Sequence, residues 1–88
     1  MAWTIEFSGS AKREFAKLDR KNAERIAEFL RGTLASADDA RQWGKPLKGK
    51  LADYWSYRVG DFRLICTIED DKLTIVVVRI GNRRDVYR

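Results

Sequence analysis

Three strand-like runs, at residues 54–59, 62–69 and 72–80, follow one another with only Gly60-Asp61 and Asp70-Asp71 between them. Two residues can close a hairpin but cannot cross over a sheet, so the runs must pair as neighbours in an antiparallel meander. Near the start of the chain, Trp3, Ile5 and Phe7 alternate with Thr4 and Glu6, the period-two pattern of a short strand with one buried face.

Between these β segments the apolar spacing becomes helical. From Ser8 or Ser10, either of which can serve as an N-cap, Ala11, Phe15 and Leu18 share one face up to Asp19, which can cap a second helix. Ala23, Ile26, Ala27, Leu30 and Leu34 mark that helix as amphipathic, weakened near its end by Gly32. Residues 36–44 are polar and without period, with room for one helical turn. They lead into the basic segment Lys45-Pro46-Leu47-Lys48-Gly49-Lys50, which reads as loop. The expectation is one α+β domain over residues 1–88, built as an N-terminal strand, a two-helix hairpin and a curved antiparallel sheet.

If both links are two-residue turns, Val59 pairs with Phe62, Arg58 with Arg63, Tyr57 with Leu64 and Trp55 with Cys66, while Glu69 stands opposite Lys72. One face then gathers Trp55, Tyr57, Val59, Phe62, Leu64, Cys66, Ile68, Leu73, Ile75 and Val77 and forms the core against the helices. The opposite face, with Tyr54, Ser56, Arg58, Arg63, Ile65, Thr67, Glu69, Lys72, Thr74, Val76 and Val78, is mixed and centred on two arginines. Like charges directly opposite across a strand pair repel, so Arg58 beside Arg63 works against the sheet unless an anion joins them, the favoured reading, or both pair with Asp or Glu and simply solubilise an exposed face.

Charge distribution points the same way. The chain carries a net charge of +5. Eight Lys and Arg face seven Asp and Glu in residues 1–44, but ten face six in residues 45–88, so the second half is where a polyanion would bind. Arginine suits phosphate, because its planar fork donates paired hydrogen bonds and keeps its charge. Tyr54 on its strand is expected to pack, and Tyr87 in the tail is able to stack on an unpaired base or donate a phenolic proton.

Other chemistries are excluded by composition. The chain has no histidine, which rules out Ser-His-Asp and Cys-His sites, His-ligated zinc and paired-histidine ribonuclease chemistry. Cys66 is the only cysteine and sits in an apolar strand pattern, as a small core residue does. No metal or cofactor is called for. No apolar run is long enough for a membrane span and the first residues lack a signal-peptide plan, so a cytoplasmic protein is expected.

Several segments together resemble one known family. Leu47-Lys48-Gly49 before the sheet, Tyr57-Arg58-Val59-Gly60-Asp61-Phe62-Arg63-Leu64 across the first hairpin, and Ile80-Gly81-Asn82-Arg83-Arg84-Asp85-Val86-Tyr87 at the end are similar to RelE toxins. The leading strand, Ala11-Lys12-Arg13-Glu14-Phe15-Ala16-Lys17-Leu18 and a longer helix repeat the order of the RelE/ParE superfamily. Each motif is weak alone; their order and spacing are more specific.

The resemblance implies the toxin of a type II toxin–antitoxin pair, with a basic sheet face presented to messenger RNA in the ribosomal decoding site. It implies metal-free cleavage, in which a ribose 2′-hydroxyl attacks the adjacent phosphorus and cations steady the phosphorane. By this resemblance Arg63 and Arg83 are the catalytic arginines and Tyr87 stacks on substrate or transfers a proton, while Lys48, Lys50, Arg58 and Arg84 bind substrate. Where the best-known members carry two strand lysines, this chain has Tyr54 and Ser56, or Trp55 and Tyr57, leaving Lys48 or Lys50 to supply a base. The implied partners are an acidic, partly disordered RelB-like antitoxin, the ribosome and mRNA, with operator DNA reached only through the antitoxin complex. Two rival readings share the same features: a ParE-like gyrase poison, against which Arg83, Arg84 and Tyr87 speak, and a basic module that binds RNA or protein without cutting.

Overall fold

The structure, a computed structural model, describes residues 2–82. Strand β1 (Thr4–Phe7) leads into helix α1 (Gly9–Ala16), whose N-cap is Ser8: its Oγ accepts from Ala11 N at 3.1 Å and donates to Val78 O at 3.2 Å. Asp19 occupies the N-cap of α2 (Arg20–Glu28) but accepts from the Asn22 side chain at 2.6 Å instead of capping a backbone N–H. The chain continues as a π-helical turn over Phe29–Leu34, closed by Ala35 N donating to Leu30 O at 2.8 Å. The wider turn places the exposed Gly32 on the outside and keeps Leu30 and Leu34 buried.

The sheet has five strands in the order β1-β5-β4-β3-β2. Strand β3 (Trp55–Val59), β4 (Phe62–Glu69) and β5 (Thr74–Asn82) form the expected antiparallel meander. Two features go beyond that expectation. β1 pairs in parallel with β5, Thr4 opposite Thr74, and within the segment read as loop Lys45–Pro46 forms a two-residue strand, β2, against β3. Between β2 and β3 lies a 3-10 turn, Gly49–Leu51.

The core lies between one sheet face and the helices. Tyr57, Leu64, Cys66, Ile75 and Val77 are fully buried against Ala11, Ile26, Leu30 and Leu34. Trp3 ties β1 to the end of the helical layer, donating from its backbone N to Ala35 O at 2.7 Å and from Nε1 to Ala37 O at 3.1 Å. Beyond β1 the edge of β5 is closed by a side chain: Glu14 of α1 accepts from Ile80 N at 2.9 Å and from Arg79 Nε at 3.3 Å.

The first hairpin has the anticipated register, with Val59 opposite Phe62 and Gly60 at φ +60°. The second does not. Asp70–Lys72 forms a 3-10 turn and Leu73 adopts a left-handed φ of 47°, so Glu69 pairs with Thr74 rather than Lys72, and Leu73 is 37% exposed instead of joining the core. A bulge between Ile65 and Cys66 then shifts the ladder once more, so that Ile80 enters the core and Arg79 stands opposite Ile65. The opposite face is also less open than its sequence suggests, since Ser56, Ile65 and Thr74 are buried. No helix among the described residues is long and apolar enough to cross a membrane.

Candidate nucleic-acid interface

On the sheet face away from the core, strand register places two rows of side chains. Lys45, Ser56, Ile65 and Arg79 stand abreast across four strands, and beside them Arg58, Arg63 and Gly81 stand across three. Gly81, opposite Arg63, contributes no side chain to that row. Arg79 is drawn to Glu14 at the sheet edge.

The other cations converge. Among the described residues, a pocket of about 290 Å³ is lined by Trp43, Lys45, Pro46, Leu47, Ser56, Arg58 and Arg63, with no carboxylate. Among the described residues neither Lys45 nor Arg58 forms an ion pair, and both are exposed; Arg63 is half-buried. Cations gathered on a concave surface whose described lining carries no acid favour a phosphate or another anion.

The wall carrying Trp43 and Lys45 is held from behind. Residues Ala40–Trp43 form a 3-10 turn, with Asp39 accepting from Arg41 N at 2.9 Å. The Tyr57 hydroxyl donates to Ala40 O at 2.6 Å, and Gly44 lies so close to the Tyr57 ring that a Cβ there would stand 2.8 Å from Cε1. Arg41 forms two hydrogen bonds to Asp70, at 2.9 and 2.7 Å, with its guanidinium 5.5 Å from the Trp55 ring. That bond and charge hold the exposed Asp70 carboxyl below its ordinary range.

The expected site residues separate into three groups. Arg58 and Arg63 meet in the pocket. Lys48 and Lys50 are exposed at and within the 3-10 turn after β2 and are not among the lining residues. Arg83, Arg84 and Tyr87 lie outside the described residues. Of the four strand positions where the resemblance would place lysines, Ser56 lines the pocket, whereas Tyr57 is wholly in the core, its phenol pushed up by burial and unsuited to proton transfer. Cys66 is likewise buried, and burial drives its thiol far above the ordinary range, which removes it as a nucleophile.

Trp43 and Lys45 are pocket residues that the sequence did not single out. The available signal was a large aromatic two residues before the first lysine of a basic segment; what hid it was the absence of any period there.

Comparison with known proteins agrees with this architecture. The chain matches the model of the ParE toxin of type II toxin–antitoxin system parDE over residues 5–87. It is 35% identical over 88 residues to toxin RelG of Mycobacterium tuberculosis, covering 100% of this chain and 99% of that protein. Toxin RelE of the same organism is 30% identical over 84 residues, covering 96% and 84%. Among solved structures, the toxin–antitoxin complex RelBE2 from Mycobacterium tuberculosis superposes with a TM-score of 0.86 at 33% identity, covering 97% of this chain and 95% of that one. Isolated Escherichia coli RelE, with a TM-score of 0.72, 23% identity and coverage of 92% and 84%, shares the fold. With a family model spanning nearly the whole chain and relatives aligned end to end, the chain belongs to the RelE/ParE superfamily and is a toxin of a type II toxin–antitoxin system.

Proposed function

We propose that the chain cleaves messenger RNA in a ribosome-dependent reaction and thereby inhibits translation. The observation that carries this reading is the convergence of Lys45, Arg58 and Arg63 on one pocket of the outer sheet face whose described lining holds no carboxylate. A phosphodiester placed there meets three cations carried on paired strands, and cations aimed at the phosphorane stabilise the charge that develops on it.

In the proposed reaction the ribose 2′-oxygen bonds to the adjacent phosphorus as its proton leaves to a base. The bond from phosphorus to the 5′-oxygen breaks, and a proton donor neutralises that oxygen, leaving a cyclic 2′,3′-phosphate and a 5′-hydroxyl. Arg63 and Arg83 stabilise the phosphorane, with Tyr87 stacking on substrate or supplying the proton. Arg58 and Arg84 hold flanking phosphates, and Lys48 and Lys50 extend the basic rim. Lys45, inside the pocket, neutralises charge beside Arg58. No side chain among the described pocket residues is an evident general base, so deprotonation falls to Lys48 or Lys50 on the neighbouring loop or to ribosomal groups.

The same basic surface suits an acidic, partly disordered RelB-like antitoxin that folds as it wraps the toxin, with operator DNA contacted only through that complex. Solved relatives include RelB-bound toxins, among them the complex from Pyrococcus horikoshii.

Inducing the chain in cells while mapping messenger RNA ends and assaying gyrase supercoiling tests the reading. New mRNA ends within codons, with gyrase unaffected and growth restored by the antitoxin, are expected. Intact messages with blocked gyrase would overturn it in favour of a ParE-like poison. Growth arrest that persists in the separate alanine variants of Arg63, Arg83 and Tyr87 would refute the site assignment.

A further inference from the structure

Trp43 is 53% exposed, the most exposed large apolar side chain among the described residues. A single exposed apolar side chain is ordinary on a folded surface, but this one lines the same pocket as Lys45, Arg58 and Arg63. Its backbone is held through its neighbours. Two residues upstream Arg41 is clamped by Asp70, three upstream Ala40 is buried and its carbonyl is taken by Tyr57, and directly downstream Gly44 abuts the Tyr57 ring. Two residues downstream Lys45 is in register with Ser56.

A rigidly presented aromatic face bordering cations is the arrangement that single-stranded nucleic acids recognise, because an unpaired base stacks while its own phosphate is held by the adjacent charge. We infer that Trp43 is a binding residue for substrate, stacking on one unpaired base next to the phosphate held by Lys45, Arg58 and Arg63. The inference rests on the RNA-cleavage reading and assigns its pocket a ligand: a flipped-out nucleotide, not a phosphate alone. The described lining residues fit that ligand, with Trp43 and Leu47 offering apolar contact and Ser56 lying beside the cations. An acidic peptide would be drawn by the same charge but has no need of a flat apolar surface at the mouth.

The test uses the full chain and ribosomes programmed with mRNA whose cleavable 2′-hydroxyl is methylated, so that binding is read without turnover. Nucleotides of the decoding-site codon and its neighbours are replaced one at a time by abasic ribose. Stacking is worth enough that one abasic position should weaken binding of the wild-type chain about tenfold or more. W43F should keep that sensitivity. W43A and W43L should bind intact mRNA about tenfold more weakly, with no further loss at the abasic position. Melting temperatures of the free variants identify any that fail to fold, and the wild-type abasic scan stands independently of them.

The inference is overturned if no abasic position matters to the wild-type chain. It also fails if W43A retains the abasic penalty, or if W43A weakens only antitoxin binding and leaves RNA binding intact. In each of those cases cleavage of unmethylated mRNA by the wild-type chain would leave the functional reading standing, whereas a wild-type chain that neither binds nor cleaves mRNA would end both.

Discussion

Replacing Arg58 with threonine should stabilise the fold while weakening the toxin. Arg58 stands directly opposite Arg63 across the β3–β4 ladder, and among the described residues it forms no ion pair. Cross-strand pairs shift stability by roughly 0.2–1 kcal/mol, and a like-charged pair sits on the unfavourable side of that range. Taking about 0.5 kcal/mol, and an unfolding entropy of about 2.1 cal/mol/K per residue, the variant should melt about 3 °C above the wild-type chain. Threonine is also a better strand former, so Arg58→Lys, which keeps the charge, serves as the control and should leave Tm unchanged. The gain should shrink in 1 M salt, where the screening length falls to about 3 Å. Function should move the other way: induction should arrest growth less, and the slope of log affinity for single-stranded RNA against log salt should fall by about 0.7 for one lost phosphate contact. Thermal melts of the purified chain at low and high salt, together with growth curves, check both halves. An R58T variant that melts at or below wild type at low salt would refute the repulsion argument, and full toxicity would refute the role of Arg58 in binding.

Removing the hydroxyl in Tyr57→Phe strands the buried carbonyl of Ala40 and should cost about 1–3 kcal/mol, read from urea denaturation. Leu73→Gly should stabilise by up to about 1 kcal/mol, because a left-handed φ of 47° strains leucine but not glycine; a loss instead would mean that the half-exposed side chain matters more than its backbone. Cys66 is held neutral by burial while the unfolded chain releases its thiol proton above about pH 8.5, so stability should fall as pH rises beyond that value, and more steeply above about pH 10 as the phenol of Tyr57 adds its share. A thiol reagent should therefore label Cys66 only after denaturation; rapid labelling of the native chain would contradict its burial.

The first hairpin was legible because Gly60-Asp61 is a turn whose residue types match its geometry. Those two residues were enough to place Arg58 against Arg63 and separate the two faces. The second hairpin was not, because leucine is a poor marker for a left-handed position, so nothing in residues 70–73 advertised a four-residue connection. The slip of two residues preserves which face each side chain takes, which is why the core assignment of Ile75 and Val77 survived it, and the bulge beside Cys66 is where local rules alone fail. β2 escaped notice because two residues carry no period, and with it went Trp43 and Lys45, whose contribution comes from tertiary placement. The parallel pairing of β1 was similarly invisible, since alternation reveals a strand but not its neighbour.

That pairing has a kinetic consequence. Thr4 finds its partner in Thr74, so during synthesis the first strand waits for almost the last, and Gly81, which flanks Arg63 in the ladder, emerges later still. Contacts of such sequence separation slow folding because a long loop must close before it is rewarded, and refolding over milliseconds to seconds is expected in stopped-flow fluorescence. A protein built this way cannot complete its sheet, or set Arg58 and Arg63 in their ladder beside Gly81, until nearly the whole chain has been made.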